Sequence, residues 1–230
     1  MIRRDRSLEL TEEDGADRGR MWAVISDVAL ALVLVLALFV LAQFLHYDNI
    51  AVLEKIEERR AEVAENIQQA AAGLLGPEGN SEPLEILAQG FTQQRVTFPE
   101  PMLFEPCGIV PRDDGEALIR EIGRVLSERA GYLEAIQIEG HADRRPPTGR
   151  CRELVVDNWG LSSLRATSFV RVFVTPDVFP DSAKVSSVGR GDSQPRSARE
   201  ATDDELDEDR RVELILVYSE DSARKALGSL

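Results

Sequence analysis

One carboxylate in this sequence lies where a soluble protein would not place it. Asp27, with Ser26 beside it, falls inside the segment 21–44, which is otherwise almost entirely apolar. A charged Asp costs roughly 2.5–3.5 kcal/mol at the centre of a membrane helix, and less toward the interface. Two interpretations remain open: an Asp tolerated near the headgroups, or a group that binds and releases a cation. The second requires partner subunits, because one helix forms no ion pathway alone.

The rest of the sequence offers little catalytic chemistry of its own. We find no Ser/His/Asp or Cys/His arrangement, no phosphate-binding loop and no zinc-ligand spacing, so we expect neither an enzyme nor a bound metal or cofactor. His46 and His141 are far apart in the sequence and form no metal cluster with cysteine. The acidic stretch 203–209 lacks the spacing of a calcium loop, so we interpret it as a solvated loop.

The charge balance narrows the range of partners. The 230 residues carry a formal net charge of −14, which argues against nucleic acid or an anionic membrane surface as the main partner. No run of Lys and Arg with interleaved aromatic residues suggests nucleic-acid binding. The length allows one sizeable domain plus accessory segments.

The apolar segment predicts a transmembrane helix over residues 21–46. Extended from Met21 to Leu45 it is roughly 37 Å long as a helix, enough to cross a hydrocarbon core of about 30 Å with some tilt. Trp22 and Tyr47 lie at its ends, where amphipathic aromatic residues prefer to lie. The rival interpretation is a cleaved signal peptide ending near Ala42, but the apolar run is long and the preceding segment is acid-rich.

The distribution of basic residues predicts the orientation of this helix. Five arginines precede it, whereas Lys55, Arg59 and Arg60 are the basic residues that follow within about 20 residues. The positive-inside bias therefore places the N-terminus (1–20) in the cytoplasm and the rest of the chain in the periplasm.

A second helix is predicted over residues 47–75. Its apolar positions alternate three and four residues apart, as in a heptad seam interrupted by Arg60. The seam positions are Leu53, Ile56, Arg60, Val63, Ile67, Ala70 and Leu74. A parallel dimer and a single amphipathic helix resting on a partner or on the membrane both fit this pattern. The stretch GPEGNSEP then predicts a linker over 76–95.

Residues 96–220 predict an α/β sandwich with helices on one face of a mixed sheet, followed by a tail over 221–230. The segment 101–110 is read as the first strand, and Asp113 and Asp114 as candidate N-caps of a helix that runs through Leu126. Further strands are predicted at 135–143, 183–191 and 210–218, with a second helix at 158–174.

Four motifs occur in a fixed order in this domain: IEGHAD at 138–143, NWGLSSLRA at 158–166, GRGDSQP at 189–195 and DRRVEL at 209–214. Together they resemble the peptidoglycan-binding domain shared by OmpA-like outer-membrane proteins and MotB-like stator subunits. The single N-terminal span with its embedded Asp narrows the resemblance to the MotB-like branch, in a flagellar stator, a Zorya-type anti-phage motor or another stator-like complex.

The resemblance implies a wall-binding site. Asp143 and Arg165 are implied to hold the diaminopimelate of the cell-wall peptide, since a carboxylate pairs with its ammonium and a guanidinium takes its carboxylate bidentately. Asn158 and Leu161 fall on the same helical face as Arg165, near the helix N-terminus. Arg211 either borders the site or packs. An Asp143–Arg165 salt bridge that binds nothing is the alternative.

The same resemblance gives Asp27 a role as the group that carries a proton or sodium ion. The resemblance also implies a dimer of this chain inside a ring of about five multi-span MotA-like partners, and a single helix does need partners to form an ion pathway. The local sequence departs from the family, with Ile25-Ser26 and Val28-Ala29 around the Asp, so the coupling ion stays open. A membrane-tethered wall anchor without ion conduction is the alternative function.

The two cysteines, Cys107 and Cys151, both fall on the predicted periplasmic side, where disulfides persist. Cys151 lies between the Asp143 strand and the Arg165 helix. A bridge between the two cysteines would fix that loop beside the wall-binding site.

Overall fold

The computed structural model describes residues 6–75 and 84–228, with side chains over 20–43, 49–74, 84–149 and 151–228. The chain divides into two compact units, residues 1–51 and 52–230. The predicted linker motif at 76–83 and the side chain of Tyr47 lie outside the described residues.

The first unit consists of the N-terminal part of helix α1, which runs over Arg6–Leu75. Within it, Arg20–Gln43 is long and apolar enough to cross a membrane, judged by length and composition. Its side chains are exposed, Asp27 included. The predicted helix is present, and an exposed apolar surface of this length is of the kind that is stable in a bilayer.

The second unit is built on a five-stranded mixed sheet. Its strands are β1 (Glu85–Gln89), β2 (Gln93–Pro99), β3 (Leu133–His141), β4 (Val185–Gly189) and β5 (Arg211–Tyr218). Their spatial order is β1-β2-β5-β3-β4, with β3 and β4 parallel and the other pairs antiparallel. The predicted α/β sandwich with a mixed sheet is confirmed.

Helices cover one face of this sheet. The longer ones are α3 (Asp113–Glu128) and α5 (Asn158–Phe173), and the shorter ones are α2 (Glu100–Leu103), α4 (Arg150–Leu154), α6 (Asp203–Asp207) and α7 (Glu220–Gly228). Phe98 of β2 meets Phe169 of α5 with ring centroids 5.9 Å apart, and Phe169 in turn meets Phe173. These aromatic contacts fix α5 against the centre of the sheet.

The part of α1 from Val52 onward belongs to this same core. Ile56, Val63 and Ile67 are fully buried, and the Nε2 of Gln94 on β2 donates to the carbonyl oxygen of Arg60. We expected this apolar face to lie against a second copy, a partner or the membrane. That expectation was wrong: the face covers the chain's own sheet, because β1 and β2 would otherwise leave their helix-side apolar residues in water.

Four further predictions differ from the structure. The segment 101–110, read as a strand, contains most of α2 and a loop, because the proline at position 101 sets helical φ in the first turn after Pro99. Strands β1 and β2 begin within the predicted linker 76–95. Most of the predicted tail is helix α7, whose Ala223 is buried. Asp113 and Asp114 lie in the first turn of α3, and the N-cap is Arg112.

The other face of the sheet carries a buried charged cluster. Glu139, His141 and Glu213 project from β3 and β5, and their ligand atoms lie within 4.8 Å of one another. The two carboxylates pair with the guanidiniums of Arg95, Arg190, Arg196 and Arg211. His141 Nε2 lies 3.6 Å from both carboxylates, and neither ring nitrogen makes a hydrogen bond. The surrounding guanidiniums make this an ion-pair network and a poor site for a cation.

Candidate functional site: a charged pocket at the end of strand β3

A cavity of about 730 Å³ lies where β3 ends, between the N-terminal half of α5 and the loops after α2 and β3. Asp143, Asn158, Leu161 and Arg165 all line it. The structure therefore brings together four of the five residues predicted to form the wall-binding site. Arg211, the fifth, is not among the lining residues.

Arg211 lies on the opposite face of the sheet. Its Nε donates to Glu213 Oε1 at 2.6 Å, and its NH1 and NH2 donate to the backbone oxygens of Asp209 and Gln194. The residue before it, Arg210, reaches the pocket instead. Arg211 is the first residue of β5, whereas Arg210 belongs to the bend before it, and the two side chains lie on opposite sides of the sheet. The prediction for Arg211 is therefore corrected in favour of Arg210.

The start of α5 is fixed by local sequence. The carboxylate of Asp157 caps the helix by accepting from the backbone N–H of Gly160 at 2.8 Å. The next residue, Asn158, donates from Nδ2 to the carbonyl oxygens of Asp143 at 2.8 Å and Arg145 at 3.1 Å. Asn158 therefore holds the loop after β3, which in turn fixes the position of the Asp143 side chain.

A close approach of α5 to the sheet brings Arg165 to the pocket. A Cβ added at Gly140 of β3 would lie 2.1 Å from the carbonyl oxygen of Ser162, so a larger residue there would push the helix away. Ser162 Oγ accepts from the backbone N–H of Gly191 at 2.9 Å. The glycines and serine of the IEGHAD, LSSLRA and GRGD motifs thus serve packing between α5 and the sheet.

Arg165 does not pair with Asp143. Its NH2 donates to Glu100 Oε1 at 2.5 Å, its Nε donates to the carbonyl oxygen of Gly108 at 2.9 Å, and its guanidinium lies over the ring of Phe104. The side chains of Arg165 and Glu100 are 3% and 7% exposed. The alternative of an Asp143–Arg165 salt bridge is therefore excluded.

Asp143 is held by two other arginines. Its Oδ2 accepts from Arg145 Nε at 3.0 Å, Arg145 NH2 at 2.6 Å and Arg210 NH1 at 2.8 Å, and its Oδ1 accepts from the Arg145 backbone N–H. Burial alone would raise the pKa of Asp143, but these four bonds outweigh it and lower the pKa. The hydrogen bonds to Asp143 and Asp207 raise the pKa of Arg145. Both groups are therefore charged at neutral pH.

The sequence reasoning missed Glu100, Arg145 and Arg210. Glu100 was placed just before a supposed strand, so its side chain was not considered for the site. Arg210 also pairs with Glu100, since its Nε lies 2.6 Å from Glu100 Oε2. Arg165, Glu100, Arg210, Asp143 and Arg145 thus form one chain of alternating charges along the pocket. Counted over the whole lining, the pocket has four guanidiniums and four carboxylates: Arg112, Arg145, Arg165, Arg210, Glu100, Glu105, Asp143 and Asp207.

A disulfide closes one side of the pocket. The structure joins Cys107, in the loop after α2, to Cys151 of α4, and both cysteines line the cavity. Gly108, whose carbonyl oxygen accepts from Arg165, directly follows Cys107. The covalent bond therefore holds in place the loop that orients the Arg165 guanidinium.

Comparison with known proteins identifies the domain. Residues 109–208 match the model of the OmpA family. No curated protein matches the sequence at a significant level. Residues 109–208 therefore form an OmpA-family domain.

Three solved structures share the fold. A putative MotB-like protein from Desulfovibrio vulgaris aligns with a TM-score of 0.59 and 20% identity over 73% of this chain and 99% of its own. The cell wall anchor of the T6SS from Pseudomonas aeruginosa aligns with a TM-score of 0.52 and 21% identity, over 65% of this chain and 97% of its own. The periplasmic domain of Helicobacter pylori MotB aligns with a TM-score of 0.51 and 19% identity, over 68% of this chain and 91% of its own. The fold is thus that of MotB-like periplasmic domains and of at least one wall anchor.

Proposed function

We propose that this chain is a single-pass membrane protein whose OmpA-family domain binds peptidoglycan in the periplasm, and that it is a subunit of an ion-driven motor. The observation that carries the wall-binding part is the meeting of Asp143 and Arg165 in one cavity of that domain. A zwitterionic amino-acid end, such as that of diaminopimelate, presents an ammonium and a carboxylate. These charges match the buried carboxylate of Asp143 and the guanidinium of Arg165.

Ligand binding in this pocket is an exchange of ion pairs. Arg165 NH2 and Nε are engaged with Glu100 and Gly108, and Asp143 is engaged with Arg145 and Arg210. The charges of the lining cancel, four against four, so the pocket suits a zwitterion better than a ligand of one net sign. Leu161, which is 7% exposed, adds an apolar wall for the methylene groups between the two charged ends.

The motor role rests on Asp27. It is an ionisable residue on a helix that is otherwise suited to hydrocarbon, and such residues mark ion pathways. In this proposal Asp27 carries a proton or a sodium ion, the N-terminus is cytoplasmic, and two copies of the chain assemble with about five copies of a multi-span MotA-like protein that completes the pathway.

A second candidate function is a membrane-tethered wall anchor in which Asp27 carries no ion. The similarity of fold to the cell wall anchor of a T6SS favours it, since that neighbour aligns with a TM-score of 0.52, against 0.51 for the H. pylori MotB structure and 0.59 for the D. vulgaris protein. Both functions use the same periplasmic pocket, so they differ only in whether Asp27 of the membrane helix carries an ion.

Wall binding is tested with full-length protein in detergent and purified peptidoglycan. Arg165→Lys keeps the charge but loses the fork that can hold a carboxylate bidentately, and we expect about tenfold weaker sedimentation with the wall. Arg171→Lys, an exposed change on the same helix, is the matched control and should bind as the wild type does. Equal binding by both variants would remove Arg165 from the site.

The motor role is tested by extracting the native complex in mild detergent and measuring its mass and composition. Copurification of a multi-span protein, together with loss of function in Asp27→Asn at unchanged expression and wall binding, is the expected result. If the protein is extracted without a multi-span partner, and if the Asp27→Asn variant functions as well as the wild type, the protein is a tether.

A further inference from the structure

We propose that Arg145 is an affinity-setting residue of the pocket, because its guanidinium and the ammonium of the wall peptide compete for the same carboxylate, Asp143. This inference rests on the proposed wall-binding function. It adds a residue from outside the four motifs, and it gives the acidic helix α6 a part in the site.

The first step concerns the capacity of Asp143. Three N–H donors converge on its Oδ2, two from Arg145 and one from Arg210, while Oδ1 accepts from the Arg145 backbone. A carboxylate offers about four lone-pair sites in all, two on each oxygen. The Asp143 side chain is only 7% exposed. An ammonium can therefore reach Oδ2 only when a guanidinium donor leaves it.

The second step identifies the group that leaves. Arg210 is the less exposed of the two, at 25%, and it also pairs with the buried Glu100. Arg145 is 39% exposed and lies at the rim of the pocket. Its side chain can turn toward solvent at lower cost, because less of its surface is packed and fewer buried partners are lost.

The third step is that Arg145 has other partners when it leaves Asp143. Its NH1 donates to Asp203 Oδ1 at 3.0 Å and its NH2 donates to Asp207 Oδ1 at 2.9 Å. Both acceptors belong to α6. The loop backbone does not need to move, since Asn158 continues to hold the carbonyl oxygens of Asp143 and Arg145. The exchange is thus confined to one side chain.

The competition also affects which ligand binds. A simple amine must displace the Arg145 guanidinium and gains a single ion pair in return. A ligand that also supplies a carboxylate to Arg165 gains a second charged interaction in the same cavity. Arg145 therefore favours a complete amino-acid end over a lone amine.

The test measures binding of full-length protein in detergent to purified peptidoglycan, with free diaminopimelate as competitor. Arg145→Gln removes the competing charge, and we expect it to bind the wall about tenfold more tightly. Arg144→Gln is the matched control, because it loses the same charge next to the pocket. Arg144 bonds to Ser197 and to the backbone of Ala198 and Arg199, not to Asp143, so its affinity should not rise.

A second variant should change the wall affinity in the opposite direction. Asp203→Asn removes the negative charge of a group that pairs with Arg145 away from Asp143, and the Asp203 side chain is 87% exposed, so the fold is not at risk. We expect about two- to threefold weaker wall binding, in line with the small energy of an exposed ion pair. A gain of binding in Arg145→Gln cannot arise from misfolding, and the loss in Asp203→Asn is checked against an unchanged melting temperature.

The outcomes separate this inference from the proposed function. If the wild type binds peptidoglycan and Arg145→Gln binds no more tightly than Arg144→Gln, the competition is disproved while the wall site stands. If neither the wild type nor Arg145→Gln binds the wall or diaminopimelate, the proposed function fails and this inference fails with it.

Discussion

Arg165 and Glu100 form a buried ion pair, with NH2 of the arginine 2.5 Å from Oε1 of the glutamate and both side chains less than a tenth exposed. The two residues are 65 positions apart, and nothing in the spacing of the motifs relates them. The pair orients the Arg165 guanidinium in the pocket. Glu100 also contacts Arg210, so it links the Arg165 end of the pocket to the Asp143 end.

Replacing Glu100 with Gln should destabilise the domain by about 3 kcal/mol, because it leaves the charge of Arg165 buried without its counter-ion. Denaturant unfolding of the full-length protein in detergent measures this. Glu105→Gln, a change at the same pocket on a side chain that is 69% exposed, is the control and should cost less than about 0.5 kcal/mol. Equal stabilities of the two variants would contradict the prediction.

The disulfide should contribute to stability and to the shape of the pocket. Cys107 and Cys151 are 44 residues apart, and closing a loop of that length stabilises a fold by about 4 kcal/mol in the chain-entropy account. We expect the double variant Cys107→Ser, Cys151→Ser to melt at a lower temperature and to bind the wall more weakly, since Gly108 no longer holds Arg165 firmly.

A thiol reductant provides the control for the disulfide. It should lower the melting temperature of the wild type toward that of the double variant and leave the double variant unchanged. A wild type that is indifferent to reductant under conditions in which free thiols appear would show that the bridge adds nothing to the fold.

Acid stability should depend on the cluster opposite the helices. Burial would raise the pKa of Glu139, but its contacts with His141, Arg190 and Gln137 outweigh burial and lower the pKa to about 2. A carboxyl group whose pKa is lower in the folded state gives stability that is fully present above its unfolded pKa, near 4.5, and is lost as the pH falls toward 2. The pKa values of Asp143, Asp207 and Asp209 are lowered too, so they add to the same trend.

The variant Glu139→Gln isolates one contribution to this trend. It should be less stable than the wild type at neutral pH, and the difference should shrink between about pH 4.5 and pH 2. Unfolding free energies measured at a series of pH values decide the point. A difference that stays constant over this range would mean that Glu139 titrates alike in the folded and unfolded chains.

The approach of α5 to the sheet should tolerate no side chain at position 140. Gly140→Ala places a methyl group 2.1 Å from the carbonyl oxygen of Ser162, so either the helix or the strand must shift, at a cost of about 2 kcal/mol or more. Because that shift moves Arg165, wall binding should weaken as well. Gly131→Ala, where nothing lies within 4 Å of the new methyl group, is the control for both measurements.

The sequence by itself determined the elements whose signal is local. The span that contains Asp27 is a continuous apolar run, and the strands around 136, 187 and 214 follow from the alternation of apolar residues. The family resemblance carried by the four motifs implied that Asp143 and Arg165 share one site, and the structure brings both to one cavity. The span and the strands depend on neighbours within a few residues, which is why the sequence reveals them.

Only the tertiary structure decided which charges meet. Glu100, Arg145 and Arg210 come from three separate loops and helix ends, and the sequence does not tell which carboxylate a given arginine will reach. The same holds for the apolar face of α1 between Val52 and Ala71. A heptad-like seam is equally suited to a second helix or to a sheet, and the seam of this chain lies on its own sheet. Long-range packing, and not the local pattern, determines which surface the seam contacts, because the hydrophobic effect is non-directional and favours burial against any apolar surface.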